Sequence, residues 1–175
     1  KNFPVLFEAA NNLASMQIRQ VATIGGNLCT ASPSGDISCA IVALNANCEA
    51  LNTTGKTRMI NASQFFTGVR KTALKKSELL YGITIPSNNK KAAKIHSGFI
   101  KVGTRRSMEC SVVSLAYHIQ CNEEGIILEA GVAIGASAPT IKFAKSACDF
   151  IIGKNINNIS EADKLAFADK VLSYA

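Results

Sequence analysis

A chain of 175 residues with 47% hydrophobic and 18% charged residues carries enough apolar material for a packed core and is not a disordered tail. Apolar runs such as Ala40–Leu44 fall far short of the ~20 residues a membrane-spanning helix needs, which sets integral membrane readings aside. The formal charge of +7 is carried by pairs such as Lys75-Lys76, Lys90-Lys91 and Arg105-Arg106, with no interleaved aromatics and no basic helix; that pattern argues against a nucleic-acid groove and suits a small anionic ligand.

Phe3–Leu13 is predicted to be a helix, with Pro4 in its first turn, where a missing N–H costs nothing. Gln17–Ile24 is read as a short strand running into Gly25-Gly26-Asn27 and the loop Thr30–Gly35. Asp36 is expected to N-cap a buried helix, Ile37–Leu44. Cys48–Leu51 and Thr57–Ile60 flank Asn52-Thr53-Thr54-Gly55, a hairpin signal, and Asn61 caps a short helix holding Phe65 and Phe66. Leu79–Ile85 is a strand ended by Pro86.

The polar segment Ser87–Lys94 is the clearest boundary in the chain, because the apolar pattern stops before it and restarts after it. Gly98–Val102, Ser111–Ile119 and Ile126–Ala136 then read as three strands. Thr140–Ile152 is expected to be helical with Gly153 at its end, and Ser160–Tyr174 helical with Ser160 as N-cap. Chain start and cysteines complete the picture. No signal peptide or initiator Met is visible at Lys1, so the expected natural start lies upstream. The six cysteines show no C-x-x-C pair and are expected to be reduced structural thiols.

The chemistry is concentrated at Thr23-Ile24-Gly25-Gly26-Asn27. Two glycines remove Cβ atoms, so backbone N–H groups can approach an anion, while Thr23 offers a hydroxyl and Asn27 a side chain able to hold the loop. An ordinary tight turn is the competing reading. The spacing is neither G-x-G-x-x-G nor a P-loop. Asp36 is placed to accept ligand hydroxyls as well as to cap, and Lys101 with Arg105-Arg106 would face a ligand if the halves pack together; a surface lysine is the plainer alternative. His96 and His118 lack partners at metal-ligand spacing, so no metal site is expected, and any redox activity must come from a cofactor.

The run Gln17–Leu28, followed by Ala31-Ser32-Pro33 and Gly35-Asp36, resembles the FAD-binding subunit of molybdenum hydroxylases, the xanthine dehydrogenase and carbon monoxide dehydrogenase family. Phe65-Phe66-x-Gly68, Arg70-Lys71-Thr72, Glu78-Leu79-Leu80, Gly98-Phe99 with Lys101, Ala130-Gly131 and Ala138-Pro139-Thr140 follow in the same order, so the resemblance covers nearly the whole chain.

The resemblance implies an α+β protein: residues 1–87 as the second subdomain of a vanillyl-alcohol-oxidase-like FAD domain, 88–94 as a linker, and 95–175 as a C-terminal domain with a three-stranded antiparallel sheet and helices. It implies FAD contacts from Thr23, Ile24, Gly25, Gly26 and Asn27 at the diphosphate, from Asp36, from Leu80 near the flavin ring and from Lys101 at the flavin edge, with no catalytic residue and no metal ligand on this chain. Leu13 stands where some members place a phenylalanine against the cofactor. The resemblance further implies a cytoplasmic electron-transfer component working with a molybdopterin-binding large subunit and an iron–sulfur small subunit, and passing electrons to NAD or another acceptor. The family's first FAD subdomain has no counterpart in this sequence, so the chain alone is expected to be inactive and to bind FAD weakly or not at all. The rival classes are a noncatalytic anion-binding or scaffold module and a nucleic-acid-binding domain.

Overall fold

A computed structural model describes residues 3–105 and 110–175, so the Arg106 of the basic pair lies outside the described residues. The chain opens with four helices: α1 (Pro4–Asn12), α2 (Met16–Val21), α3 (Ile24–Thr30) and α4 (Asp36–Ala43). The hairpin β1 (Asn47–Asn52) and β2 (Thr57–Asn61) follows, then α5 (Ala62–Phe65), the short pair β3 (Phe66–Gly68) and β4 (Lys71–Thr72), and β5 (Glu78–Thr84). β5 returns to lie on β1, giving an antiparallel sheet of order β2-β1-β5.

The second half contains β6 (Lys94–Val102), β7 (Val113–Cys121), β8 (Ile127–Gly135), β9 (Lys142–Phe143), α6 (Lys145–Ile151) and α7 (Glu161–Leu172). Its four strands run antiparallel in chain order. The fold is α+β as expected, with the three long strands in place and a two-residue fourth strand added at the edge.

Three local expectations are corrected. Gln17–Ile24 is not a strand: Met16–Val21 is helical, capped by the Ser15 hydroxyl, which accepts the Ile18 N–H at 3.3 Å. Ile18, Val21 and Ile24 stay exposed, so their spacing does not decide the element, and Arg19 secures the turn by donating to the Leu13 carbonyl at 2.6 Å and that of Ala14 at 3.1 Å. Thr140–Ile152 is helical only from Lys145, because Lys142 and Phe143 pair with Ile134 and Ala133 at the free edge of β8. The N-cap of α4 is Gly35, and Asp36 occupies the first helical turn.

Every residue of α4 is buried. It packs against α1 and α3 on one side and against β7 and β8 on the other, so the two halves share one core containing Val5, Leu28, Ile41, Phe65, Phe99, Ala116 and Ala133. Contact with the sheet is closest at Gly131, where a Cβ would fall inside the van der Waals envelope of the Ala43 carbonyl oxygen. α1 is fastened to the same sheet: the Phe99 N–H donates to Glu8 Oε2 at 2.7 Å, and the Val5 N–H donates to the Ser97 hydroxyl at 3.2 Å.

Cys39, Cys48, Cys121 and Cys148 are buried, whereas Cys29 and Cys110 are exposed. Burial pushes the Cys39 thiol up to about 12 and those of Cys48 and Cys148 up to about 11, so these three pack as small protonated groups. Among the described residues no helix is long and apolar enough to cross a membrane.

Candidate functional site

The glycine pair does not sit in a turn after a strand but in the first turn of α3. Thr23 is the N-cap: its Oγ1 accepts the Gly26 N–H at 2.9 Å, and its carbonyl accepts the Asn27 N–H at 3.0 Å. The first N–H groups of a helix have no carbonyl behind them, so those of Ile24 and Gly25 remain as donors of this turn. A Cβ at Gly26 would lie 2.9 Å from Thr23 Oγ1 and disturb the cap, whereas one at Gly25 would meet only Leu80 Cδ2, at 4.0 Å. Gly26 therefore preserves the cap, and Gly25 leaves the approach to the turn open above Leu80.

An ion pair anchors the start of β5, the strand that carries Leu80. Arg58 donates to both Glu78 oxygens, at 2.9 and 2.8 Å, and to the Ala73 carbonyl at 2.7 Å. The Arg58 guanidinium holds the Glu78 carboxyl down to about 2, so the fork is intact at neutral pH. Leu13, Arg19, Thr23, Ile24 and Ile37 line one cavity of about 220 Å³ between α1, α2, α3 and α4.

Asn27 works in a direction the sequence did not disclose. Gly35 has no side chain to cap α4, and Asn27 Oδ1 supplies the acceptor from α3, taking the Ser38 N–H at 3.1 Å and the Ser38 hydroxyl at 2.9 Å. A side chain at Gly35 would crowd Ser38 Oγ at 3.1 Å and the Ser32 carbonyl at 3.2 Å, so the cap has to come from elsewhere. Asn27→Ala is expected to cost about 2 kcal/mol, since a fully buried serine loses its partner, while Asn27→Asp keeps the acceptor and most of the stability. Thermal denaturation of the two variants checks this. Equal melting of Asn27→Ala and the wild type would remove the cap from the account.

Asp36 and Lys101 form a buried ion pair, Nζ to Oδ2 at 2.7 Å, with side chains 3% and 9% exposed. The surface-lysine alternative is therefore wrong: β6 carries Lys101 in against the N-terminal end of α4. Lys101 also donates to the Asn12 carbonyl at 3.2 Å, and the Ser111 hydroxyl donates to Asp36 Oδ1 at 3.0 Å.

Thr23, Ile24 and Leu13 thus share one cavity, Gly25 lies over Leu80, and Asp36, beside the cavity residue Ile37, is paired with Lys101. Sequence reading missed Ser38, Ser111, Asn12 and the wall position of Arg19. Arg19 stands inside the motif run without an assigned role; the other three carry no local signal.

The fold is that of an α+β protein in which a glycine-opened helix start lies beside a cavity and a buried ion pair joins the two halves of the chain. Residues 1–88 match the family described as the FAD binding domain in molybdopterin dehydrogenase, and residues 99–172 match the CO dehydrogenase flavoprotein C-terminal domain. The chain belongs to this family of FAD-binding components. It is similar to xanthine dehydrogenase 1 of Arabidopsis thaliana, 32% identical over 164 residues, covering 91% of this chain and 12% of that protein. It is similar also to the putative xanthine dehydrogenase FAD-binding subunit XdhB of Escherichia coli K12, 32% identical over 140 residues, covering 80% of this chain and 47% of that subunit.

Among solved structures, a carbon monoxide dehydrogenase from Hydrogenophaga pseudoflava superposes with a TM-score of 0.83 at 24% identity, over 95% of this chain and 55% of that one, a likeness of fold. Quinoline 2-oxidoreductase from Pseudomonas putida 86 gives a TM-score of 0.73 at 25% identity, over 91% and 52%. The chain thus spans at most about half the length of these relatives.

The residues present fit the family's cofactor. An anionic diphosphate needs N–H donors free of side-chain bulk, and the turn at Ile24–Gly25 offers them where a Cβ would otherwise stand.

Proposed function

We propose that this chain is the FAD-binding electron-transfer component of a molybdopterin-dependent dehydrogenase of the xanthine dehydrogenase type. In this reading its partners are a molybdopterin-binding large subunit and an iron–sulfur small subunit in the cytoplasm, and electrons leave for NAD or another acceptor. Residues 1–87 serve as the FAD-binding subdomain, 88–94 as the connection and 95–175 as the C-terminal domain. The observation that carries the reading is the convergence of Thr23, Ile24 and Leu13 on one cavity, with Gly25 over Leu80.

Bound flavin would supply the one- and two-electron redox chemistry. The Ile24 and Gly25 N–H groups bind the diphosphate, and the Thr23 cap holds that turn in place. Leu80 gives an apolar surface near the ring. Lys101, oriented by Asp36, would supply a positive charge toward the ring, and Asp36 would keep a lone pair for a cofactor hydroxyl.

The test compares the assembled enzyme carrying wild-type or Gly25→Val sequence, since a side chain at Gly25 blocks the approach without touching the Thr23 cap. The variant is expected to purify with the same subunits and fold but without the flavin absorbance bands. Full flavin content in the variant would overturn the assignment of this turn.

A further inference from the structure

At the far end of α4 from Asp36, roughly 12 Å away at 1.5 Å per residue, a second cavity of about 240 Å³ opens between the last turn of α4, the β7–β8 sheet and the segment Pro86–Asn88. Its polar wall is built from buried groups, His118 at 6% and Gln120 at 5% exposure. The hydrogen bonds fix what this wall offers. His118 Nε2 lies 3.1 Å from Asn88 Oδ1, an atom that only accepts, so Nε2 carries the proton; Nδ1 then accepts from the Ser97 hydroxyl at 3.1 Å. Burial holds the ring's pKa below its ordinary value, in keeping with this neutral form.

Gln120 spends its amide on Glu129 Oε2 at 3.2 Å and its oxygen on the Asn89 N–H at 2.7 Å, and the Asn89 amide donates to Glu129 Oε1 at 2.8 Å. These donors are committed within the wall. The charge the wall offers is negative: the second lone pairs of the Glu129 carboxylate and the negative end of α4, beside the neutral amides of Asn45 and Asn88. Among the described residues Glu129 is the only ionisable side chain besides neutral His118 that lines the space, no described lysine or arginine lines it, and Phe3 and Phe143 belong to its wall.

We propose that this cavity is a second ligand site, for a small organic cation of the alkylammonium or guanidinium class held by Glu129. The carboxylate accepts from the cation's N–H groups, the helix end adds negative potential, and the rings contribute cation–π attraction. Pro86–Asn88 forms one wall, so occupancy also secures the connection between the halves. The site stands apart from the FAD residues and does not depend on their assignment.

The experiment is an NMR titration of the whole chain with methylguanidinium chloride, following the His118 ring and the Gln120 side-chain amide, with neutral N-methylurea and sodium acetate as controls. Saturable shifts of both groups are expected with the cation alone. In Glu129→Gln, whose exposed side chain keeps the fold, as an unchanged melting curve would verify, affinity is expected to fall about tenfold. Trypsin cleavage after Lys90 and Lys91 is expected to slow more in the wild type than in Glu129→Gln at the same cation concentration, a comparison in which any effect of the cation on trypsin itself cancels. Absence of saturation up to about 20 mM, equal binding of N-methylurea, or an unaltered Glu129→Gln titration each overturns the proposal.

Discussion

Replacing Gly131 with alanine is expected to destabilise the protein by about 3 kcal/mol or more and to lower its melting temperature by roughly 10 °C. The added methyl group meets the Ala43 carbonyl, part of a helix backbone, not the pliable end of a side chain. Relief requires α4 to lift from the sheet, and α4 is the element both halves pack on. Gly55 provides the contrast. It adopts φ +79°, and a Cβ there would find no neighbour within 4 Å, so Gly55→Ala bears only left-handed backbone strain, about 1 kcal/mol. Calorimetry of both variants separates the two costs, and a Gly131→Ala protein melting alongside the wild type would mean that helix and sheet stand further apart than described.

Removing the Lys101 ammonium is expected to have a comparable effect. Lys101→Met leaves the Asp36 carboxylate 3% exposed and without its cation, at a cost of about 3 kcal/mol. The Ser111 hydroxyl remains as a donor but carries no charge. The double variant Asp36→Asn/Lys101→Met is expected to recover a good part of that loss, because an amide is far cheaper to bury than a lone carboxylate and still accepts from Ser111. Urea denaturation of the set measures the coupling. Additive losses in the double variant would contradict a buried charge pair. If Lys101 also serves the flavin edge, the flavin potential of the assembled enzyme moves as well, which a merely structural lysine would not cause.

Much of the fold is legible from local chemistry. Asn52-Thr53-Thr54-Gly55 marks the β1–β2 hairpin, and Asn61 and Ser160 cap their helices as their residue types suggest. The errors arise where tertiary partners decide. α2 has only six residues and an apolar spacing compatible with either element; what settles it is the Arg19 side chain reaching back to the end of α1. β9 exists because β8 has an open edge, a condition invisible in Lys142-Phe143 itself. The candidate site divides in the same way. Thr23–Asn27 stands out through its glycines and its family motif, but Asp36 and Lys101 are 65 residues apart, and their pairing depends on where the end of β6 brings Lys101 in the folded chain. The capping of α4 by Asn27 follows from an absence at Gly35 and from the angle between two helices, neither of which a linear pattern expresses.

The shared burial of α4 bears on how such chains can recombine. A crossover in the polar segment after Pro86 looks harmless, since it severs no strand or helix. It would nonetheless set one parent's α4 on another parent's sheet, with Gly131 facing a foreign backbone and Lys101 facing a foreign first turn. Functional chimeras should therefore be found where both parents agree at α4, β6 and β8, whatever their overall resemblance. The unit of inheritance is then the packed helix with its sheet, and the sequence boundary is only where the chain happens to be exposed.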